Sequence, residues 1–107
     1  MSIVIKNNVS SFLADGVNDS QTTIELQSVA SFPSLGAGEY FYGTIESTSG
    51  VIEIVKVTNI AGSTLTVVRA QEGTSAAAFA EGSRFELRVT VGSIEQSVIE
   101  LRNERVF

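Results

Sequence analysis

The chain of 107 residues has no cysteine, no histidine and no tryptophan, and it has a single proline. Without cysteine there can be no disulfide framework, no thiolate nucleophile and no zinc–thiolate site. Without histidine the commonest general base and transition-metal ligand is missing. These absences exclude hydrolases of the Ser-His-Asp and Cys-His types. We therefore expect a protein that is not an enzyme and that needs no cofactor.

Charged residues are also scarce. They make up only 18% of the chain, and 12 acids against 7 bases give a net charge of −5. A nucleic-acid binder needs a basic patch to displace counterions from phosphate, so nucleic acid is not an expected partner. The low charged fraction suggests instead that a partner, or further copies of the chain, cover part of the surface. The apolar runs are too short for a signal peptide or for the ~20 residues of a membrane span, so no membrane partner is expected.

What the sequence does contain is strand-like alternation of apolar and polar residues. Residues 51–58 and 63–69 have this pattern on either side of a hairpin-sized linker at 59–62, so we expect them to pair antiparallel. Residues 84–91 alternate most cleanly, with Phe85 on the apolar face. Such strands have one face toward a core and one toward solvent or a neighbour.

The spacing of these strands predicts the fold class. Short strands follow one another closely without a βαβ rhythm, which favours a mainly β fold, a small antiparallel β-sandwich or barrel. The longest connection, at 71–82, is expected to be an ordered loop anchored by Phe79. We expect a single domain whose β part spans residues 1–91.

The end of the chain changes period. Ser93 and Gln96 have the spacing of a capping box, and apolar side chains then recur at helical intervals. This predicts a short C-terminal α-helix at about residues 93–104, within a helix-and-tail segment of residues 92–107 that belongs to the same domain. Its apolar side chains form a candidate protein-interaction surface, with closure of the domain's own core as the alternative. The residues of this terminal stripe are Ile94, Val98, Leu101, Val106 and Phe107.

An aromatic strand near the middle of the chain holds Tyr40, Phe41 and Tyr42. We expect Phe41 to lie in the core and the two tyrosines to cover a protein interface. A stacking platform for sugars or bases is the alternative, and the lack of basic residues around the tyrosines favours the interface.

Charged side chains suggest a structural ion pair. Arg69 and Glu72 flank the exit from a strand and are expected to pair, pinning the long loop to the sheet, with Arg84 and Arg88 as other partners for Glu72. A glycosidase-like carboxylate pair would need a sugar-sized cleft that so short a chain can hardly enclose. The glutamates that could form such a pair are Glu53, Glu72, Glu81 and Glu86.

The acidic residues Asp15 and Asp19, with Asn18 between them, suggest calcium at first sight. Their spacing misses the EF-hand pattern and lacks its distal glutamate. We interpret them as a turn rich in Asx residues, and we expect no metal ligands in the chain.

A longer pattern of strands and turns carries a family resemblance. Its residues are Phe32-Pro33, Gly38–Tyr42, Thr44, Glu53–Thr58, Leu65–Arg69, Gln71–Thr74, Ala76, Ala78-Phe79, Gly82 and Glu86–Thr90, preceded by 7–14 and 22–24. The pattern resembles a module found at the beginning of many bacteriophage tail-fibre and related virion proteins. It extends from residue 7 to residue 90 and is more specific than any short motif.

The resemblance implies a virion structural protein without catalytic residues. In that family the module precedes a fibre shaft or a receptor-binding region, whereas this chain stops at Phe107. We therefore expect an adaptor that attaches a fibre or spike to the tail body and forms homo-oligomers, in a virion assembled in the host cytoplasm. A capsid decoration protein and a free carbohydrate-binding module are the alternatives.

Overall fold

The structure is a computed structural model that describes residues 2–3, 9–30 and 32–87. The predicted C-terminal segment, residues 92–107, lies outside the described residues. Within them the regular structure consists of seven strands and no helix, so the predicted mainly β class is confirmed. The strands are β1 (Ser2–Ile3), β2 (Val9–Phe12), β3 (Thr23–Glu25), β4 (Glu39–Glu46), β5 (Ile52–Ala61), β6 (Thr64–Gln71) and β7 (Arg84–Leu87).

The strands form one sheet that curls into a half-barrel. Their order is β2-β7-β4-β5-β6-β3, every neighbouring pair in this order is antiparallel, and β1 pairs in parallel with the start of β4. Beyond β2 and β3, the outer strands of this order, an isolated bridge joins Leu13 to Leu26. The N–H of Ala14 donates to Glu25 O at 2.9 Å, and that of Gln27 donates to Phe12 O at 2.9 Å. These bonds bring the two outer strands together at one end.

The interior of the half-barrel is the hydrophobic core. Alternation along each strand turns every second side chain inward, so that Phe41 and Ile45 of β4 face Phe85 and Leu87 of β7. The expected core positions of Phe41 and Phe85 are confirmed, since both are fully buried. Each buried side chain of this size contributes about 1.5–3 kcal/mol of transfer free energy, which is the main favourable term holding the sheet closed.

The connection between β6 and β7 is ordered, as predicted. Phe79 is buried, and it exchanges two backbone hydrogen bonds with Val17, at 2.8 and 2.9 Å. Next along the connection, Gly82 N donates to Leu13 O at 2.9 Å, and Leu13 N donates to Ser83 O at 2.8 Å. The long loop therefore runs beside the segment that follows β2 and closes one end of the core.

The hairpin between β5 and β6 confirms the predicted antiparallel pairing but differs in its turn. The linker expected at 59–62 is strand as far as Ala61, and the chain reverses at Gly62 and Ser63. Gly62 has a φ of 63°, which glycine adopts without steric cost. The strand pair contains two register shifts, at which the regular side-chain alternation breaks. The two strands stay paired on both sides of each shift.

Gly43 is a glycine required by packing. It lies in the middle of β4 on the interior face, and a Cβ atom at this position would stand 2.3 Å from Cζ of Phe85. The Phe85 ring therefore lies directly over the glycine backbone. It also packs against Phe32, with ring centroids 5.8 Å apart.

This contact predicts the effect of adding one methyl group. Gly43→Ala should lower the free energy of unfolding by about 1–3 kcal/mol, because the Phe85 ring must leave its position in a filled core. Urea unfolding followed by circular dichroism measures the change. If the clash is the cause, Gly43→Ala should cost less in a Phe85→Leu background than in the wild type; equal costs in both backgrounds would refute this account.

Candidate functional site

A glutamate lies inside the core. Alternation along β5 places Glu53 on the same face as Val55 and Val57, and like them it is fully buried. On the neighbouring strand β6, Arg69 follows Leu65 in the inward series, and its side chain is only 8% exposed. Two opposite charges are thus held on the interior face of the half-barrel.

The carboxylate of Glu53 is saturated with hydrogen bonds. Arg69 donates through Nε to Oε2 and through Nη2 to Oε1, both at 2.8 Å. The backbone N–H of Ala70 donates to Oε2 and that of Ala77 to Oε1, both at 2.9 Å. Each oxygen therefore accepts two hydrogen bonds, which fills the four acceptor positions of a carboxylate.

The remaining N–H groups of Arg69 reach backbone carbonyls. Nη1 donates to Asn18 O at 2.7 Å and to Gln21 O at 2.8 Å, and Nη2 donates to Ala77 O at 2.6 Å. All five donors of the guanidinium are used. We call this group the Glu53–Arg69 cluster. It consists of the side chains of Glu53 and Arg69 with the backbone of Asn18, Gln21, Ala70 and Ala77.

A β-bulge gives the cluster its geometry. Ile54 pairs with Gln71 and Lys56 pairs with Val68, so two residues of β6 stand opposite one residue of β5. The second of them, Ala70, has a φ of 55°. A left-handed conformation costs a non-glycine residue about 1–2 kcal/mol, and here it turns the N–H of Ala70 toward Glu53, where the charge-assisted hydrogen bond offsets that cost.

The environment fixes the protonation of both groups. Burial acts to raise the pKa of Glu53, but hydrogen bonds from Arg69, Ala70 and Ala77 outweigh it and hold that pKa below its ordinary value. The hydrogen bonds to Glu53 raise the pKa of Arg69. The pair is therefore fully ionised at neutral pH.

The Glu53–Arg69 cluster is suited to a structural role and not to acid–base chemistry. A general base needs a free lone pair within reach of a substrate, whereas both oxygens of Glu53 are fully bonded and none of its surface is exposed. What the cluster can do is join segments. It ties β5 and β6 to the connection between β2 and β3 and to the connection between β6 and β7.

The predicted pairing of Arg69 with Glu72 is wrong, because the carboxylate bound by Arg69 belongs to Glu53. Glu72 instead stands in a tight turn in which Thr74 N donates to Gln71 O at 3.0 Å. Glu72 and Gly73 have φ values of 52° and 81°, the positive pair of a type I′ turn. The hydroxyl of Thr74 accepts from Ile54 N at 3.0 Å and so fastens this turn to β5.

The two tyrosines occupy different environments. Tyr40 is only 4% exposed, since Lys56 Nζ lies 4.4 Å from its ring centroid and Tyr42 meets it edge-on at 5.8 Å. Little of the Tyr40 side chain is therefore accessible to a partner, so the prediction that it covers an interface is wrong. Tyr42 is half-buried, and burial, with the nearby charge of Glu72, raises its pKa.

The other candidate groups lie apart from the cluster. Asn18 Oδ1 accepts from Ser20 N at 2.9 Å, which is the Asx turn expected there. Arg84 pairs with Glu86 at 3.3 Å on the surface, and Glu81 is exposed. Within residues 2–3, 9–30 and 32–87 we find neither a helix able to cross a membrane nor a group of three acidic side chains placed for a metal. The terminal stripe of Ile94, Val98, Leu101, Val106 and Phe107 lies outside the described residues.

Comparison of the chain with protein-family models and with curated proteins returns no match.

The cluster predicts a large loss of stability when one charge is removed. Glu53→Gln should lower the free energy of unfolding by about 3–5 kcal/mol, because it leaves the guanidinium buried without its counter-ion. Urea unfolding at pH 7 measures this loss. Glu86→Gln is the matched control, since it makes the same chemical change in the partly exposed pair with Arg84 and should cost at most about 1 kcal/mol. Equal losses in the two variants would contradict the account.

The pH dependence supplies a second readout of the same variant. The folded pKa of Glu53 is lowered, so its contribution is complete above the pKa of an unfolded glutamate, about 4.3. That contribution is lost as the pH falls from there through the folded pKa. The stability difference between wild type and Glu53→Gln should therefore shrink on acidification.

The turn at residues 71–74 predicts a stabilising substitution. Glu72→Asn should raise the free energy of unfolding by up to about 1 kcal/mol, because asparagine tolerates a positive φ and Asn-Gly is favoured in type I′ turns. Thermal and urea unfolding both report the change. Glu72→Gln removes the same charge without the conformational gain and should leave stability close to that of the wild type. A loss shared by both variants would instead indicate that Glu72 makes an important ion pair.

Proposed function

We propose that the chain is a bacteriophage virion structural protein. In this proposal it belongs to the tail or the head–tail region and acts as an adaptor that attaches a fibre or spike to the tail body. The observation that carries the proposal is a coincidence of residues. Both charged side chains of the Glu53–Arg69 cluster, together with the nearby Thr74 and Phe79, belong to the residues that resemble the tail-fibre module.

Glu53 and Arg69 are the two charges of the cluster, and both belong to the resembling pattern. The turn at 71–74 fastens the bulged strand to β5 through Thr74. Phe79 anchors the connection that supplies the backbone groups of Ala77. These residues contact one another in the folded chain, and this supports the proposal.

The chemistry of the cluster also suits a static part. A virion adaptor needs a fixed shape and no reaction, and a fully bonded ion pair that joins two long connections to the sheet favours one arrangement of the chain. Catalysis would need accessible groups, and Glu53 is not accessible.

The partners follow from the same proposal. They are the tail body, the fibre or spike, and further copies of this chain. The terminal stripe from Ile94 to Phe107 is the proposed joint to one of these neighbours, with the partly exposed Tyr42 as a second contact.

Two alternatives differ in how well they are supported. A capsid decoration protein would have the same β-rich character, and only its place in the particle separates it from a tail adaptor. A free carbohydrate-binding module is less well supported, because the platform suggested for it includes Tyr40, which is buried.

The proposal is tested by locating the chain in particles. Particles of the phage whose genome encodes this chain should contain the chain. An antibody against the chain should label the tail or the head–tail junction in electron micrographs. Labelling spread over the capsid surface would favour the decoration protein instead.

A truncated chain provides the control for attachment. A variant that ends at Val91 should remain in the soluble pool if the terminal segment is the joint, while its circular dichroism shows that the β domain is folded. Absence of the full chain from washed particles would overturn the proposed function.

A further inference from the structure

We propose that two copies of this chain associate through the outer face of the half-barrel, around a row of four side chains. The row crosses four neighbouring strands. Phe12 of β2 stands opposite Arg84 of β7, Arg84 stands opposite Glu46 of β4, and Glu46 stands opposite Ile52 of β5. We call these residues the Phe12–Ile52 row. The inference rests on strand register and surface exposure, and it does not depend on the proposed role in a virion.

The row faces outward. Its immediate neighbours along the strands, Leu13, Phe85, Ile45 and Glu53, are all fully buried. Successive side chains of a strand point to opposite faces, so the row itself lies on the solvent side. Phe12 is 46% exposed, Ile52 is 44% exposed, and the Arg84 side chain is 55% exposed.

Apolar surface is concentrated at this place. Among the described residues the exposed large hydrophobic side chains are Phe12, Val51, Ile52 and Val68. Three of these four belong to the row or adjoin it. A groove of about 240 Å³ lies beside the row and is lined by Phe12, Glu46 and Arg84 together with the loop residues Ser47, Thr48 and Gly82. Phe12 lines this groove, and Val51 and Ile52 lie at the other end of the row. Exposed large apolar side chains that share one face are a feature of interaction sites.

The row is complementary to its own reverse, because apolar ends meet apolar ends and the positive position meets the negative one. Read from β2 to β5 it is apolar, positive, negative, apolar. A two-fold axis that runs parallel to the strands, through the row's centre and in the plane between the two outer faces, places Phe12 of one copy against Ile52 of the other and Arg84 of one copy against Glu46 of the other. Adjacent strands are about 4.8 Å apart, so the row spans about 14 Å and its positions coincide with those of the inverted row.

This self-complementarity identifies the partner as a second copy. An isologous interface requires that one patch match itself after a two-fold rotation, which the row does in both charge and polarity. Two arginines and two glutamates would alternate at its centre, and Arg84 can keep its contact with Glu86 at the same time. The row carries no net charge, so the overall charge of −5 opposes association only at longer range. So small a patch belongs with weak, reversible interfaces.

Charge exchange tests the pairing directly. Sedimentation velocity of the full chain, from about 1 to about 300 µM, should show a monomer–dimer equilibrium. Arg84→Glu places four glutamates together and Glu46→Arg places four arginines together, so each variant alone should dimerise more than about tenfold more weakly. A mixture of the two variants pairs an all-glutamate centre with an all-arginine one and should restore the dimer. The double variant should restore it as well.

Matched controls separate the row from general charge effects and from misfolding. Asn59→Arg and Asn59→Asp change the charge of an exposed position seven residues along β5 from Ile52, and both should leave dimerisation unchanged. Circular dichroism and thermal unfolding should be close to those of the wild type for every variant. Phe12→Ser should weaken the dimer without changing the response to salt.

Three outcomes would overturn the inference. The wild type could be monomeric over the whole range, or its association could be insensitive to both charge exchanges. In the third case the single variants would dissociate and their mixture would not recover, which would show that Arg84 and Glu46 face a different surface. None of these outcomes bears on whether the chain is found in phage particles, so the two proposals are tested separately.

Discussion

The burial of one carboxylate on the interior face of the sheet is the constraint on which the described structure depends. A charge in that position is tolerated only when every lone pair finds a donor. Glu53 obtains its donors from Arg69 and from two backbone N–H groups, and each donor imposes a condition on the chain. The bulge, the positive φ of Ala70 and the course of the β6–β7 connection all satisfy these conditions.

Most of the fold could be predicted from alternation, whereas the cluster was missed. The strands at β5, β6 and β7, the core position of Phe85 and the anchoring by Phe79 all follow from patterns within a few residues. The signal for Glu53 was also present, since it alternates in step with Val55 and Val57. It was overlooked because a glutamate in a strand is ordinarily assigned to the solvent face, and its partner Arg69 was assigned to the nearer acid, Glu72.

The failed assignments share a physical reason. Whether Tyr40 is exposed depends on Lys56 and Tyr42, which lie on the sheet around it, and local sequence does not reveal such contacts. Arg69 binds Glu53, which lies 16 residues earlier in the chain, and a pairing across two strands cannot be read from the neighbouring sequence. The sheet thus separates two tasks. Its interior face holds the shape through the cluster, and the proposed dimer uses the Phe12–Ile52 row on its outer face.

The members of the cluster lie far apart in the sequence, and this separation bears on the order in which contacts form during folding. The β5–β6 hairpin can form early, because it needs only local contacts, but the cluster also draws on Asn18, Gln21 and Ala77, far apart along the chain. We therefore expect it to be completed late, after the main folding barrier. Interactions absent from that barrier slow unfolding and leave the folding rate unchanged. A slowly crossed unfolding barrier of this kind gives the folded chain a long lifetime even where its equilibrium stability is modest.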